Sequence, residues 1–165
     1  MRSIVMASMV MVGFGFNGTV RADEEKVPLD KVPKAILDSV KARFADGKLT
    51  GAGKEVEDGK PVYEVSLKLN GKNIDVTLTP EGKLLGIEKE IAAKELPKAV
   101  AKTLKEKYPK AEYKMVEEVI KVKKGVEKLE YYEVLLVTAA KKNVEVTVSP
   151  NGKINNEEDK NKEKK

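Results

Sequence analysis

Apolar residues recur every four positions in two segments of the chain, which is the spacing of one face of an α-helix. They are Val32, Ile36, Val40 and Phe44 in the first segment, and Leu96, Val100, Leu104 and Tyr108 in the second. Charged side chains occupy most of the remaining positions. Pro33 and Pro97 fall in the expected first turns, where a missing backbone N–H costs little. The pattern predicts two amphipathic helices.

Alternating apolar and polar residues follow each helix and predict β-strands. The predicted strands cover residues 48–56, 63–69, 74–79, 84–90, 113–122, 129–139 and 143–149. Asn70-Gly71 is a strong signal for a two-residue hairpin turn, and Pro80-Glu81-Gly82 is typical of a turn as well. Within 113–122 the parity of the apolar residues changes, which predicts a β-bulge or burial on both faces.

The same order of residues occurs twice. Val32-Pro33-Lys34-Ala35-Ile36 returns as Leu96-Pro97-Lys98-Ala99-Val100, and Tyr63-Glu64-Val65 returns as Tyr132-Glu133-Val134. The segment 74–83, which ends in Pro-Glu-Gly-Lys, returns as 144–153, which ends in Pro-Asn-Gly-Lys. A duplication with a period of roughly 65–70 residues predicts two units of one fold in tandem.

Each predicted unit has one apolar sheet face and one apolar helix stripe, and these two surfaces must cover each other. The sequence therefore predicts an α+β fold of two tandem repeats. In each repeat one helix packs on one face of a 3–4-stranded antiparallel sheet, and the opposite face stays open. The two sheets could also join edge to edge, which would hide two edges.

The N-terminal residues predict export. Ile4 to Phe16 form an apolar run after Arg2, and Val20-Arg21-Ala22 places small residues where a signal peptidase reads. The run is short for a membrane anchor, which needs about 20 apolar residues. We expect a signal peptide at 1–22, repeats at 23–91 and 92–155, and a disordered charged tail at 156–165. Cleavage removes Arg2 and Arg21 and lowers the net charge from +5 to +3.

Composition removes several kinds of chemistry. The chain has no Cys, no His and no Trp, so thiol nucleophiles, imidazole bases and most transition-metal sites are excluded. The serines lack any His partner, and no local motif supports a Ser–Lys dyad. The acidic turns lack the oxygen spacing of a calcium loop. We expect no catalytic residue, no metal and no cofactor.

Paired acids and a run of lysines are the remaining candidates for chemistry. Glu55 and Glu57, and likewise Glu117 and Glu118, could form a catalytic carboxylate pair, but their predicted outward positions indicate solvated surface. Lysines at 121, 123, 124, 141 and 142 could form a basic rim. Nucleic-acid binding would need arginines and stacking aromatics beside them, so a solubilising sheet edge is the better interpretation.

The order of helix, strands carrying Tyr-Glu-Val and hairpin ending in Pro-x-Gly-Lys resembles PepSY-like domains. It is most similar to the tandem secreted type grouped with beta-lactamase-inhibitor-like proteins. The two copies cover most of residues 28–155. The resemblance implies an α+β repeat outside the cytoplasm that binds other proteins or inhibits secreted enzymes. Family units often have Asp before the turn glycine, where this chain has Glu81 and Asn151.

The second hairpin differs from the first on its outward side. If Tyr132, Val134 and Leu136 face the helix, then Tyr131, Leu135 and Val137 face away from it. An apolar outward row that includes a tyrosine is typical of a partner-binding patch. Packing between the two units and dimerisation are the alternatives that this pattern leaves open.

The sequence thus favours an exported, periplasmic or secreted, non-catalytic protein-binding module. The resemblance implies an inhibitor or modulator of an extracytoplasmic enzyme, and the hypothesis for the partner-binding row is Tyr131, Leu135 and Val137. The alternative is a structural or homo-oligomeric envelope protein without an enzyme target. The expected partner is another extracytoplasmic protein or a second copy, with no nucleic acid and no stable membrane insertion after cleavage.

Overall fold

A computed structural model describes residues 25–57 and 59–161 of the chain. The expected signal peptide and cleavage site lie outside these residues. The strands are β1 (Glu25–Lys26), β2 (Lys48–Glu57), β3 (Lys60–Leu69), β4 (Lys72–Leu78), β5 (Leu84–Glu90), β6 (Glu112–Lys123), β7 (Val126–Val137), β8 (Asn143–Val148) and β9 (Ile154–Asp159). The helices are α1 (Lys34–Arg43) and α2 (Lys98–Lys107), each preceded by one short 3-10 turn.

The nine strands of the described residues form one antiparallel sheet in sequence order, from β1 to β9. The expected size of 3–4 strands per sheet is therefore corrected, and the edge-to-edge joining that the sequence left open is observed. Strand β5, the last of the first repeat, pairs with β6, the first of the second repeat, from Gly86–Lys121 to Glu90–Glu117. Joining the sheets pairs the backbone groups of two strands that would otherwise be edges, which is the physical reason for the larger sheet.

Both helices pack on the same face of this sheet. Under α1 the core contains Ile36, Val40 and apolar residues of β3, β4 and β5. Under α2 it contains Val100, Leu104 and apolar residues of β6, β7 and β8. The predicted helix stripes are thus confirmed, since these four helical side chains are at most 2% exposed. Each helix begins directly after its proline, so Pro33 and Pro97 occupy the N-cap position and not the first turn.

The predicted turns and the predicted bulge are confirmed. Asn70 and Gly71 both have positive φ, as a two-residue hairpin turn of the primed type requires. The pairing of β6 with β7 shifts register between Tyr113 and Met115, and again between Val119 and Ile120. As a result Tyr113 and Ile120 pack against the helix-covered cores, whereas Met115 and Val119 lie on the opposite face with Leu135 and Tyr131.

The expected disordered tail is wrong for its first residues, because Ile154–Asp159 form strand β9 and pair with β8. Apart from Ile154, this strand has no apolar side chain, so hydrophobic alternation gave no signal. Its backbone pairs with the otherwise free edge of β8, and Lys160 N–H donates to the Asn143 carbonyl 3.0 Å away. Backbone hydrogen bonds therefore extend the sheet without an apolar pattern. Residues 162–165 lie outside the described ranges.

The duplicated Pro-x-Gly-Lys turn lies against the helix in both repeats. Gly82 and Gly152 have φ of +81° and +88°. A Cβ on Gly82 would lie 2.5 Å from the Ala35 carbonyl oxygen of α1, and one on Gly152 would lie 2.8 Å from the Ala99 oxygen of α2. Glycine is needed here both for the backbone angle and for the close approach of the turn to the helix.

We expect Gly82→Ala to destabilise the protein far more than Gly71→Ala. Both glycines have φ near +80°, so each alanine substitution lowers the free energy of unfolding by about 1–2 kcal/mol because alanine disfavours a left-handed backbone. A Cβ on Gly71 meets nothing within 4 Å, whereas one on Gly82 must displace the α1 backbone at a further cost of about 1–3 kcal/mol. Chemical denaturation of the two variants measures the difference. Equal losses would contradict the close contact between turn and helix.

Candidate docking surface

The open face is the sheet surface opposite both helices. In β7, Tyr132, Val134 and Leu136 belong to the core under α2, so Tyr131, Glu133, Leu135 and Val137 point to the open face, as the sequence predicted. The register of neighbouring strands then fixes which residues of β3 to β9 share that face. No element of the described chain packs across it, because both helices contribute their buried residues to the opposite side.

Carboxyl groups dominate the centre of the open face. The cross-strand register places Glu90 of β5 opposite Glu117 of β6, and Glu117 opposite Glu133 of β7. The same row continues to Thr147 of β8. We call these residues, Glu90, Glu117, Glu133 and Thr147, the central row. Like charges directly opposite each other destabilise a sheet, so three glutamates in one row are an unusual arrangement.

Further acids flank the central row. Asp75 of β4 lies opposite Glu88 of β5 on one side, and Glu145 of β8 lies opposite Glu158 of β9 on the other. Glu64 of β3 shares this face two strands away from Glu88. Across the seven consecutive strands β3 to β9, the open face therefore carries eight carboxyl groups.

Four of these glutamates are buried although no helix covers them. Glu88, Glu117, Glu133 and Glu145 are 5%, 2%, 3% and 7% exposed. The sequence-based expectation that Glu117 is solvated surface is therefore wrong. Alternation correctly places Glu117 away from the helices, but on a wide sheet the neighbouring side chains shield the central positions from water.

Burial and mutual repulsion favour the neutral form of these acids. Burial, reinforced by Glu133 and then Asp75, raises the pKa of Glu117 to about 8. Burial and Glu145 raise the pKa of Glu133 to about 8. The pKa of Glu88 is raised well above its ordinary value by burial and by Glu133 and Glu117. The central acids therefore retain protons near neutral pH.

One lysine neutralises the β9 side of the open face. Lys160 Nζ lies 3.2 Å from a carboxyl oxygen of Glu145 and 2.9 Å from one of Glu158. Its side chain is only 14% exposed. Burial lowers the pKa of Lys160, but its hydrogen bond to Glu158 and the charge of Glu145 outweigh burial, so the net pKa is raised. This face can thus hold an ammonium group away from water.

The predicted partner-binding row lies on the open face with unequal exposure. Tyr131 is 4% exposed and lies in the same cross-strand row as Glu88, so burial and Glu88 raise its pKa. Leu135 and Val137 are half-buried. Leu135 and Val137 can therefore contact a partner directly, whereas Tyr131 mainly shapes the surface from within. The role of this row in binding stays a prediction.

The predicted basic rim is only partly assembled. Lys121, Lys123 and Lys128 surround a shallow pocket of about 520 Å³ near the tip of the β6–β7 hairpin. Lys121 pairs there with Glu130 at 3.0 Å. Lys141 and Lys142 lie in the β7–β8 turn at the far end of β7. The lysines therefore do not form one continuous patch.

Nothing in the described ranges forms a metal site of three or more acidic side chains. Within the same ranges, no helix has the length and apolar content needed to cross a membrane.

The fold and the open face define a class: a tandem α+β repeat protein with helices on one side of a continuous sheet. The family described as "Putative beta-lactamase-inhibitor-like, PepSY-like" matches residues 17–86 and again 86–156. The chain belongs to this family, and the predicted tandem resemblance is confirmed. The family is named after inhibitor-like proteins and not after a catalytic activity. No curated protein matches the sequence.

Solved structures share the fold at low sequence identity. A DUF2874 family protein from Bacteroides uniformis aligns with a TM-score of 0.62 and 15% identity, over 79% of this chain and 91% of that one. A protein from Bacteroides eggerthii described as "putative periplasmic" aligns with a TM-score of 0.61 and 12% identity, over 78% of this chain and 88% of that one. A BLIP-like protein from Bacteroides fragilis aligns with a TM-score of 0.54 and 20% identity, over 76% of this chain and 84% of that one.

Proposed function

We propose that this protein is an exported, non-catalytic binding module that docks another extracytoplasmic protein on the open face of its sheet. The observation that carries this proposal is the asymmetry of the sheet. Two helices seal one face, while the other presents a half-buried apolar row beside a dense group of acids. A broad sheet face of mixed apolar and charged character suits a protein partner better than a small substrate.

The comparisons support the location and the class of partner. The family is described as beta-lactamase-inhibitor-like, and a protein of the same fold is described as "putative periplasmic". We propose accordingly that the chain acts in the periplasm or is secreted, and that its partner is an enzyme that it inhibits or modulates. Composition agrees with a non-catalytic role, since the residue types of most nucleophilic sites are absent.

Capture from the native envelope fraction tests the docking face. We expect the protein to retain a specific partner and Leu135→Ser/Val137→Ser to lose most of it, because both side chains are half-buried on the open face. Val56→Ser is the matched control, since Val56 is 53% exposed and alternates to the helix-covered side of β2. Undiminished capture by the double variant, or equal loss with Val56→Ser, would contradict the proposal.

The alternative is a homo-oligomeric envelope protein. It is the weaker candidate because the edge strand at which two copies could pair is acidic. Strand β9 is the last strand of the sheet, and Glu157, Glu158 and Asp159 lie on it. Acidic edge strands repel a second copy that would otherwise pair there. Light scattering coupled to gel filtration at micromolar concentration separates the two candidates, and we expect the mass of one chain.

A further inference from the structure

Three buried oxygens in the middle of the open face have no hydrogen-bond partner among the described residues. In the described part of the chain, Glu117 Oε2, Glu133 Oε1 and Thr147 Oγ1 are buried and have no hydrogen-bond partner. These atoms belong to consecutive positions of the central row. Buried polar groups are rarely left unpaired, so three neighbouring unpaired oxygens point to donors that come from another molecule. A ligand that supplies several N–H donors would satisfy the whole set.

Acids on both sides of the unpaired oxygens do have donors. On the β4 side, the backbone N–H and side-chain amide of Asn73 both donate to Glu90 Oε2, at 3.0 and 2.7 Å. On the β9 side, Lys160 pairs with Glu145 and Glu158. The unpaired oxygens therefore lie between two satisfied ends, and Lys160 shows that this face accommodates an ammonium group.

We propose that the open face recognises a lysine- or arginine-bearing surface of its partner protein, whose cationic groups pair first with the partly exposed acids of this face and bring N–H donors to the central row. This inference rests on the proposed function, because it names the partner's chemistry at the same face. Lysine and arginine carry three and five N–H donors and a full positive charge, which together match adjacent carboxylates.

Other ligand classes fit less well. No acidic group of metal-binding arrangement occurs in residues 25–57 and 59–161, which disfavours a bare divalent ion. Nucleic acid would be repelled by eight carboxyl groups. The whole chain carries a net charge of +5, so a cation is attracted by this face and not by the protein as a whole.

Half-buried carboxylates are the expected first contacts. Glu64, Asp75, Glu90 and Glu158 are partly exposed, while Glu117 and Glu133 are shielded behind them. A bound cation lowers the cost of ionising the shielded pair, so binding releases protons. The charged and titratable groups that face the pair are, from β3 to the residue after β9, Glu64, Asp75, Glu88, Glu90, Tyr131, Glu145, Glu158 and Lys160.

The experiment measures the affinity of the full chain for a rhodamine-labelled octalysine peptide by fluorescence anisotropy at about pH 6 and about pH 9, where lysine stays charged. We expect the affinity to rise about tenfold between these pH values as the central row loses its protons. In Glu117→Gln/Glu133→Gln the rise should disappear. Asp38→Asn/Glu106→Gln removes the same charge from exposed positions on the helices and should retain it.

Each other outcome would overturn the inference. These outcomes are an absence of binding at both pH values, an affinity that does not change with pH, and an equal rise in the double-glutamine variant. Melting curves of all variants verify that they are folded. If octalysine fails while capture still depends on Leu135 and Val137, the cationic partner is wrong and the docking function stands. If capture fails as well, both are wrong.

Discussion

We expect the protein to lose stability as the pH rises from about 5 to about 8, with a melting temperature that falls over this interval. The cause is the pKa of Glu117 and of Glu133, which burial raises from the ordinary 4.5 to about 8 in the folded state. Between these two values the folded protein binds more protons than the unfolded chain. The stability that these protons provide is complete below about pH 4.5 and is lost as the pH passes through about 8.

The expected size is large for a small protein. Each group contributes a slope of up to about 1.4 kcal/mol per pH unit, so two groups together can cost several kcal/mol. The total stability of a domain is only about 5–15 kcal/mol. The direction is opposite to that of ordinary surface carboxylates, whose paired forms lose stability in acid.

Replacing the pair removes the effect. Glu117→Gln/Glu133→Gln keeps the shape but not the charge, so we expect a melting temperature above wild type at about pH 8 and a flattened dependence on pH. Glu106→Gln, at an exposed position of α2, should melt as wild type does at every pH. A wild-type melting temperature that rises between about pH 5 and 8 would contradict the burial of the central row.

We expect Leu104→Asp to abolish cooperative melting. Leu104 is fully buried between α2 and the sheet, where it contacts the apolar cluster of the second repeat. Removing a buried leucine side chain costs about 2–5 kcal/mol, and burying an unpaired carboxylate adds several more. The sum approaches the whole stability of the domain. Val40→Asp should act in the same way under α1, since Val40 is 2% exposed.

Circular dichroism during thermal melting measures this loss. The matched control is Lys102→Asp on the same helix, where the side chain is 74% exposed and little should change. Because β5 and β6 pair in one sheet, disruption of α2 should also loosen the first repeat. A Leu104→Asp variant that melts as sharply as wild type would mean that the helix does not seal this face.

Local patterns predicted the local structure well. Asn70-Gly71 could be assigned to a hairpin because the residue types alone favour positive φ there. The apolar stripe that contains Ile36 and Val40 predicted a buried helix face, because apolar residues at this spacing line up on one side of an α-helix. Both side chains are buried. The parity change near Met115 predicted the register shift of β6, since an extra residue in a strand reverses the alternation.

Features that depend on the whole sheet were not predictable in this way. The pairing of β5 with β6 joins two repeats, and no residue in either strand signals which neighbour it selects. Strand β9 forms through its backbone, with side chains typical of a disordered tail.

The central row was missed because alternation says only which face a residue occupies. Glu117 and Glu133 point away from the helices as predicted, but their burial depends on side chains that neighbouring strands contribute. One signal of burial was present in the sequence. Glu133, the counterpart of Glu64 in the duplication, is the single charged residue in the otherwise apolar and aromatic run 131–137. The same holds for Tyr131: the sequence predicted that its side chain lies on the open face of the sheet, but not that the side chain is buried there.

The most direct measurement of the docking face is site-specific cross-linking from single cysteines, which the absence of native cysteine makes clean. Val137→Cys places the cross-linker on the open face, and Lys102→Cys places it on the outer side of α2. In the native envelope fraction we expect a cross-linked partner from Val137→Cys and none from Lys102→Cys. A partner captured only from Lys102→Cys would contradict docking on the open face of the sheet.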